Sequence, residues 1–298
     1  MKSFLELENA LQEKSNLGKI TFAVPCPYEE SILVALSEGT RKGFCKGVLV
    51  GDCKKIEETA KKSNIELTPF EIVEEKEDAV AIERSCELLE DDAVSCLMKG
   101  LVHTGAFLKG ILQRKNLLTS SLLTHVAVYE IPDRDLLFVS DPSIMVQPTI
   151  EQKKIIILNA LHVMRQIGIS HRRVAVLSSV EAPAPAVPSS VEAFEIVRDL
   201  RPSLSQEEYI EGPLALDNAF SLEAAALKGL SGPVAGKANL FIVPSLDAGN
   251  IFCKGLTYIG NFPSAGIVAG TRKPVVLTSR SAGKEERYHS MLLACLMA

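Results

Sequence analysis

Tryptophan is absent from this chain of 298 residues, and aromatic residues make up only 5% of it. A protein that stacks nucleic-acid bases needs aromatic platforms, and one that follows a phosphate backbone needs clustered lysine and arginine. The sequence has no such basic block, and its formal net charge is −5. The composition therefore argues against binding to nucleic acid or to an anionic membrane surface.

Long apolar runs are also missing, since no segment reaches the roughly 18 apolar residues of a transmembrane helix. The first residues, MKSFLELE, carry acidic side chains and lack the apolar core of a signal peptide. The seven cysteines are odd in number and form no Cys-x-x-Cys pair. We therefore expect free thiols in a reducing compartment and a cytoplasmic protein.

Signatures of metal and dinucleotide sites are absent as well. No His-Glu-x-x-His segment occurs, and no Gly-x-Gly-x-x-Gly follows a predicted strand. A glycine-rich turn ends in Gly236 and Lys237, but Ser231 and Ala238 stand where a Walker A loop needs glycine and serine or threonine. The turn is either a plain tight turn or a place where backbone N–H groups, with Lys237, meet the phosphates of a ligand.

The first part of the chain alternates short apolar strands with helices. The strands begin near residues 19, 47, 70 and 94, after a first helix over about 1–15. Such alternation predicts a parallel sheet with helices on both faces. Two strands in close succession, 122–129 and 136–139, then predict a hairpin-like connection at which a second unit begins.

The last strand and helix, residues 275–298, are expected to pack back onto the first unit. The sequence thus predicts an α/β protein with two units, 1–128 with 272–298 and 129–271. Tyr288, Met291, Leu292, Cys295 and Leu296 recur at helical spacing and predict the buried face of the final helix.

Polar residues follow the last strand, where open α/β sheets bind their ligands. Ser279 and Arg280 come directly after it, and Glu285 and Glu286 fall in the first turn of the final helix. These residues form either a ligand site or merely a solvated helix start. The five scattered histidines are more typical of structural or surface residues than of catalytic ones, and His103 is the best exception because it directly follows the fourth strand.

Four segments, taken together, resemble the phosphate acetyltransferase/phosphate butyryltransferase family, and the likeness is closer to the butyryltransferase branch. They are residues 99–104, 212–219, 233–250 and 274–280. The resemblance implies that both units are α/β/α domains like those of the isocitrate and isopropylmalate dehydrogenases, with an active-site cleft between them, and it implies a homodimer. It also implies the reaction of acyl-CoA with phosphate to give acyl phosphate and CoA.

The resemblance also assigns roles to residues. Ser279 and Arg280 match the catalytic Ser-Arg pair, and Glu286 stands where the acetyl enzymes place an aspartate that acts as base for the CoA thiol. Glu286 is a departure from that pattern, and Glu285 beside it is an alternative base. Within the matching segments, the expected substrate-binding residues are Lys99, His103, Gly236, Lys237 and Asn250.

The chemistry that this implies needs no metal and no cofactor, with CoA itself as a substrate. A thiol of pKa about 8.5 needs a base to become a thiolate at neutral pH, and Glu286 supplies one. Ser279 is suited to donate a hydrogen bond to the tetrahedral oxyanion, and Arg280 to hold phosphate with its planar fork. CoA and acyl phosphate would react within one ternary complex, without a covalent intermediate.

Three alternatives stay open. Acetyl-CoA is a possible substrate, since one methylene in a pocket changes the binding free energy by only about 1–3 kcal/mol. A dehydrogenase of the same fold, using NAD and a metal, would need an aspartate cluster, for which the sequence offers only Asp217 and Asp247. A CoA-binding module without chemistry is disfavoured because Ser279, Arg280 and Glu286 are all present.

Overall fold

The computed structural model describes residues 1–13 and 19–298. They form two compact units: residues 4–123 with 263–298, called the terminal unit below, and residues 1–3 with 124–262, called the middle unit. Within the described ranges, no helix has both the length and the apolar character that crossing a membrane requires. The seven cysteines, all within the described residues, form no disulfide bond, and all except Cys53 are buried.

The first segment of the terminal unit alternates strands and helices, as the sequence predicts. Its elements are α1 (Phe4–Gln12), β1 (Thr21–Pro25), α2 (Glu30–Arg41), β2 (Lys46–Gly51), α3 (Cys53–Lys62), β3 (Glu71–Glu74), α4 (Asp78–Glu90), β4 (Cys96–Met98), α5 (Thr104–Leu112) and a 3-10 turn (Lys115–Leu117). The predicted end of the first helix, near residue 15, lies outside the described residues.

The middle unit begins with an antiparallel pair of strands and continues with parallel ones. Its elements are β5 (Thr124–Tyr129), β6 (Leu137–Ser140), α6 (Ile150–Gln166), β7 (Arg172–Leu177), α7 (Pro188–Leu200), a 3-10 turn (Arg201–Ser203), β8 (Glu208–Leu214), α8 (Leu216–Phe220), α9 (Leu222–Leu227), β9 (Leu240–Ile242), α10 (Leu246–Lys254) and a π-helical turn (Gly255–Ile259). The strand order is β5-β6-β9-β7-β8. The predicted hairpin of β5 and β6 is confirmed.

The chain then returns to the terminal unit through β10 (Ser264–Ala269), β11 (Val275–Val276) and α11 (Lys284–Met297). The strand order of this unit is β3-β2-β1-β4-β11-β10. All neighbouring strands are parallel except β10, which runs antiparallel to β11. The sequence predicts the return at residue 272, whereas the structure returns at 263, because β10 pairs with β11.

Helix α11 is fixed by its apolar face, which packs on α2 and β10. The five side chains expected on that face are buried: Tyr288, Met291, Leu292, Cys295 and Leu296. Full burial of an aliphatic side chain of this size contributes about 1.5–3 kcal/mol. This packing sets where the polar first turn of α11 lies relative to the end of β11.

Gly100, directly after β4, lies against the end of β1. A Cβ at this position would come 1.9 Å from the carbonyl oxygen of Pro25 and 2.5 Å from that of Cys26. Both atoms belong to the backbone, so neither can turn away as a flexible side chain would. The absence of a side chain at Gly100 is therefore what lets the two strand ends meet.

We predict that Gly100→Ala lowers the free energy of unfolding by at least about 1–3 kcal/mol, the usual cost of overpacking. The matched control is Gly105→Ala in α5, where an added Cβ meets no heavy atom within 4 Å. That change should leave stability unaltered or raise it by about 0.5–1 kcal/mol, because alanine favours the helix. Urea denaturation of both variants measures the difference, and equal unfolding midpoints would contradict the argument.

Candidate active site

The candidate site forms where β4 and β11 end side by side. Val276 lies opposite Met98 in the parallel ladder, and the Lys99 N–H donates to the Val276 carbonyl at 3.0 Å. Because parallel strands end at the same edge, the residues that follow β4 and those that follow β11 leave the sheet together. This is the edge at which open α/β sheets bind ligands.

Lys99 is a cation buried at this edge, with only 4% of its surface exposed. Its Nζ donates to the Gly100 carbonyl at 3.2 Å. The pKa of Lys99 is lowered to about 8, chiefly by burial and also by the charges of Arg287 and Arg280, against the opposing charge of Glu29. Lys99 is therefore mostly protonated at neutral pH, although burial and the two nearby arginines disfavour its positive charge. A bound anion would stabilise that charge.

Arg280 and His103 meet at the same edge. The Arg280 Nη2 lies 3.0 Å from the His103 Nδ1. Since arginine only donates, the His103 Nδ1 is the acceptor in this hydrogen bond. His103 is also the N-cap of α5, where it makes no side-chain capping bond. The guanidinium of Arg280 thus lies beside the positive end of a helix, an arrangement that favours anions.

Ser279 is exposed in the turn that carries Arg280. Its Oγ lies 2.9 Å from the Oγ of Ser281 and accepts the Ser281 N–H at 3.3 Å. The hydroxyl proton can be directed to another acceptor, because either serine can act as donor in the contact between them. Ser279 is therefore placed to donate to an oxygen of a bound ligand.

The two glutamates of the first turn of α11 differ in their surroundings. Glu285 is exposed and Glu286 is half-buried. Burial lowers the pKa of Arg287, and the carboxylates of Glu29 and Glu286 oppose that lowering. Adjacent helical residues point about 100° apart, so the two glutamates face different directions. Glu286 is the one whose charge acts on an arginine of the site.

Arg287 was missed by the sequence analysis, although it lies at the centre of this region with 2% of its surface exposed. It pairs with Glu29, and it donates from Nε to the Ser31 Oγ at 2.8 Å and from Nη1 to the Thr278 Oγ1 at 3.0 Å. One signal was available, because Arg287 precedes Met291 by four residues and so falls on the buried face of α11. An arginine on such a face needs a charged partner.

The middle unit holds the other predicted residues, but at two different edges. Gly236 and Lys237 precede β9, at its amino end, whereas Asn250 lies in α10, which follows the carboxyl end of β9. Asn250 donates to the Pro142 carbonyl at 3.3 Å, in the loop after β6. The structure thus does not bring Gly236 and Lys237 together with Asn250.

The glycine-rich turn before β9 already uses backbone donors of its own. The N–H groups of Ala235, Gly236 and Lys237 donate to a carboxylate oxygen of Glu211 at 3.0 Å and to the carbonyls of Asn218 and Val234 at 2.7 and 2.9 Å. These three N–H groups are therefore not available to a phosphate, contrary to that interpretation of the turn. Lys237 has an exposed side chain, and its expected contact with substrate stays a prediction.

A metal-dependent dehydrogenase would need a cluster of acidic ligands. Among residues 1–13 and 19–298, no group of three or more histidine, cysteine, aspartate or glutamate side chains could hold a metal ion. Asp217, one of the two aspartates considered for that role, lies 3.9 Å from the Nζ of Lys228. The dehydrogenase alternative is therefore not favoured.

Comparison with known proteins identifies the family. A family model described as "Phosphate acetyl/butaryl transferase" matches residues 81–295. This chain belongs to that family. It is 37% identical over 299 residues to the phosphate butyryltransferase of Clostridium beijerinckii, a match that covers 100% of this chain and 98% of the relative. It is 35% identical to the phosphate acetyltransferase of Rhizobium meliloti, over 91% of this chain and 87% of the relative.

Solved structures agree with this assignment. A branched-chain phosphotransacylase from Enterococcus faecalis V583 is 30% identical, with a TM-score of 0.82, over 93% of this chain and 98% of that one. The 4-hydroxythreonine-4-phosphate dehydrogenase from Klebsiella pneumoniae shares the fold, at 15% identity and a TM-score of 0.59, over 92% of this chain and 98% of that one. The predicted fold class and family are confirmed, and the chain is an acyltransferase.

Proposed function

We propose that this acyltransferase converts a short-chain acyl-CoA, either butyryl-CoA or a branched analogue, and phosphate into acyl phosphate and CoA. The observation that carries the proposal is the convergence of Lys99, Arg280 and His103 at the ends of β4 and β11. The butyryl and branched preference is supported by the names of relatives, a phosphate butyryltransferase and a branched-chain phosphotransacylase.

Phosphate binding is the first task of such a site. The guanidinium of Arg280 offers two parallel donors to a phosphate, and Lys99 adds a compact charge beside it. The positive end of α5 favours the same anion. A bound phosphate would place a negative charge beside the buried ammonium group of Lys99. That charge would raise the pKa of Lys99 and favour its protonated form.

The transfer itself then follows from the groups around the phosphate. A phosphate oxygen attacks the acyl carbonyl carbon, and the Ser279 hydroxyl donates to the oxyanion of the tetrahedral intermediate. The C–O bond remains as the C–S bond breaks, and Glu286 passes the proton that hydrogen phosphate loses to the departing CoA thiolate. In the reverse direction the Glu286 carboxylate removes that proton from the thiol, and the thiolate attacks the acyl phosphate.

Either pair, acyl-CoA with phosphate or CoA with acyl phosphate, would react within one ternary complex with the enzyme, so the proposal needs no cofactor, with CoA itself as a substrate. Asn250 and Lys237 stay predicted contacts of the substrate through their side chains, whereas Gly236 stays one only as part of the turn, since its N–H donates to the Asn218 carbonyl. A cytoplasmic homodimer likewise stays a prediction from the sequence.

The second candidate function is a phosphate acetyltransferase that acts on acetyl-CoA, which the relative from Rhizobium meliloti supports. A thiol-release assay with acetyl-, butyryl-, isobutyryl- and valeryl-CoA, with and without phosphate, distinguishes the two. We expect phosphate-dependent release with the highest kcat/KM for butyryl- or isobutyryl-CoA, and a value at least about tenfold lower for acetyl-CoA. The opposite order favours the acetyltransferase, and no phosphate-dependent release with any of the four contradicts the proposal.

We predict that Arg280→Ala raises the KM for phosphate and lowers kcat/KM for phosphate by about 10–150-fold. The reason is the loss of a charge-assisted contact that contributes about 1.5–3 kcal/mol. The control is Arg272→Ala, an exposed arginine near the other end of β11 whose side chain donates to the Asn116 carbonyl at 3.4 Å. Wild-type phosphate kinetics in Arg280→Ala would remove this residue from the phosphate site.

We predict that Glu286→Gln lowers turnover by about 10²–10⁴-fold while CoA still binds, as the loss of a general base requires. Its neighbour supplies the control, since Glu285→Gln should stay within a few-fold of wild type. Turnover and CoA affinity of both variants are measured across pH. If Glu285→Gln is the impaired variant, the base is assigned to the wrong glutamate, and if neither is impaired, the proton is carried by another group such as His103.

A further inference from the structure

Arg287 connects three parts of the terminal unit through one buried guanidinium. It extends from α11, pairs with Glu29 just before α2, and donates to Ser31 at the start of α2. On its other side it donates to the Thr278 Oγ1 at 3.0 Å and to the Ser279 carbonyl at 3.5 Å. The segment that leads into Arg280 is thus held by the side chain of Arg287.

The shape of the group makes these contacts specific. A guanidinium is planar and presents its donors in fixed directions, so four acceptors around it constrain one another's positions. Thr278 is itself buried, with 5% of its surface exposed, whereas Ser279 and Arg280 beyond it are exposed. The exposed pair therefore extends from an anchored residue.

Arg287 also acts on the charge of the site. The charged groups that act on Lys99 come from three elements: Arg287 of α11, Arg280 of the turn after β11, and Glu29 ahead of α2. His103, on the same loop as Lys99, contacts Arg280. Besides burial, the positive charge of Arg287 lowers the pKa of Lys99, and the negative charge of Glu29 raises it.

We propose that Arg287, with Glu29 as its counter-ion, is the positioning residue of this active site. It holds the Thr278–Ser279 segment so that Ser279 and Arg280 face phosphate, and together the pair sets the charge around Lys99. The inference rests on the proposed reaction of acyl-CoA with phosphate. Neither residue contacts the substrate in this account, so both act through their neighbours.

The two members of the pair should shift the pH dependence in opposite directions. In the wild type, kcat/KM for phosphate falls as Lys99 loses its proton near its pKa of about 8. Arg287→Met removes a charge that lowers this pKa, so the fall moves to higher pH. Glu29→Gln removes a charge that raises it, so the fall moves to lower pH. A purely structural role would move neither.

Arg287→Lys separates position from charge. It keeps the positive charge, so the fall stays near pH 8, but it lacks the fork that reaches Thr278 and Ser279. We expect its KM for phosphate to rise about 10–100-fold, the effect of losing a charge-assisted hydrogen bond. If Arg287→Met fails to fold, the double variant Glu29→Gln/Arg287→Met takes its place. We then expect a raised KM for phosphate, and a fall in kcat/KM at a pH close to that of the wild type.

The control is Arg114→Met, which breaks a comparable ion pair of the same unit. The Arg114 side chain is 11% exposed and pairs with Glu83 at 2.9 Å and Glu90 at 3.3 Å, beyond the carboxyl end of α5. It should lose stability without any change in the pH profile or in the KM for phosphate.

The experiment is steady-state kinetics with butyryl-CoA and inorganic phosphate between pH 6 and 10. Opposite shifts for Arg287→Met and Glu29→Gln, with the raised KM of Arg287→Lys, support the proposal. If the wild-type enzyme is active but the folded variants show neither the shifted pH dependence nor the raised KM, the proposed role of Arg287 is wrong. That outcome leaves the proposed reaction unaffected. Wild-type enzyme without phosphate-dependent CoA release overturns the proposed reaction and the inference that depends on it.

Discussion

The parallel pairing of β11 with β4 is the interaction on which the site depends. His103 and Arg280 are 177 positions apart in the chain, yet they contact each other because their strands end at the same edge. Gly100 contributes by letting the end of β1 approach β4 without a side chain in between. The burial of the apolar face of α11 then holds the first turn of that helix near the end of β11. Backbone pairing and apolar packing thus bring together polar residues that are far apart in the sequence.

The assembled group has more positive charge than its own acids neutralise. Glu29 is the partner of Arg287, and the pKa of Lys99 is lowered because burial and two arginines disfavour its charge. Bringing like charges together costs free energy in the empty protein, and a bound anion recovers it. A phosphate, whether free or in an acyl phosphate, is such an anion. A preference for an anion at this edge therefore follows from the charge of the site.

Local patterns in the sequence were enough to predict most strands and helices, but not all of them. The β10 strand was missed because its residues form a short run that opens with the small residues Ser264 and Ala265 and is interrupted by Gly266. Such a run shows neither the 3.6-residue repeat of a helix nor the two-residue alternation of a strand clearly. Ser279, Arg280, Lys99 and His103 could be named from family motifs. Their mutual contacts could not, since these depend on strand order.

Two features of the site needed the three-dimensional structure. The partner of Arg287 is Glu29, which is 258 positions away, so no local pattern could indicate the pair. The glycine-rich turn at Gly236 was open to two interpretations, a plain tight turn or a phosphate-binding turn, because glycine and lysine occur in both. Its actual surroundings include the backbone of Leu222, 2.6 Å from where a Cβ would lie, and they explain the glycine by packing.

The central claim is direct transfer of the acyl group between CoA and a phosphate held at this cationic edge. It is tested by incubating the enzyme with butyryl phosphate and isotopically labelled inorganic phosphate, with and without CoA, and following the label into butyryl phosphate. Direct transfer predicts that the label enters only when CoA is present, because the acyl group has no other acceptor. Label exchange in the absence of CoA would reveal a covalent acyl-enzyme and would contradict the account.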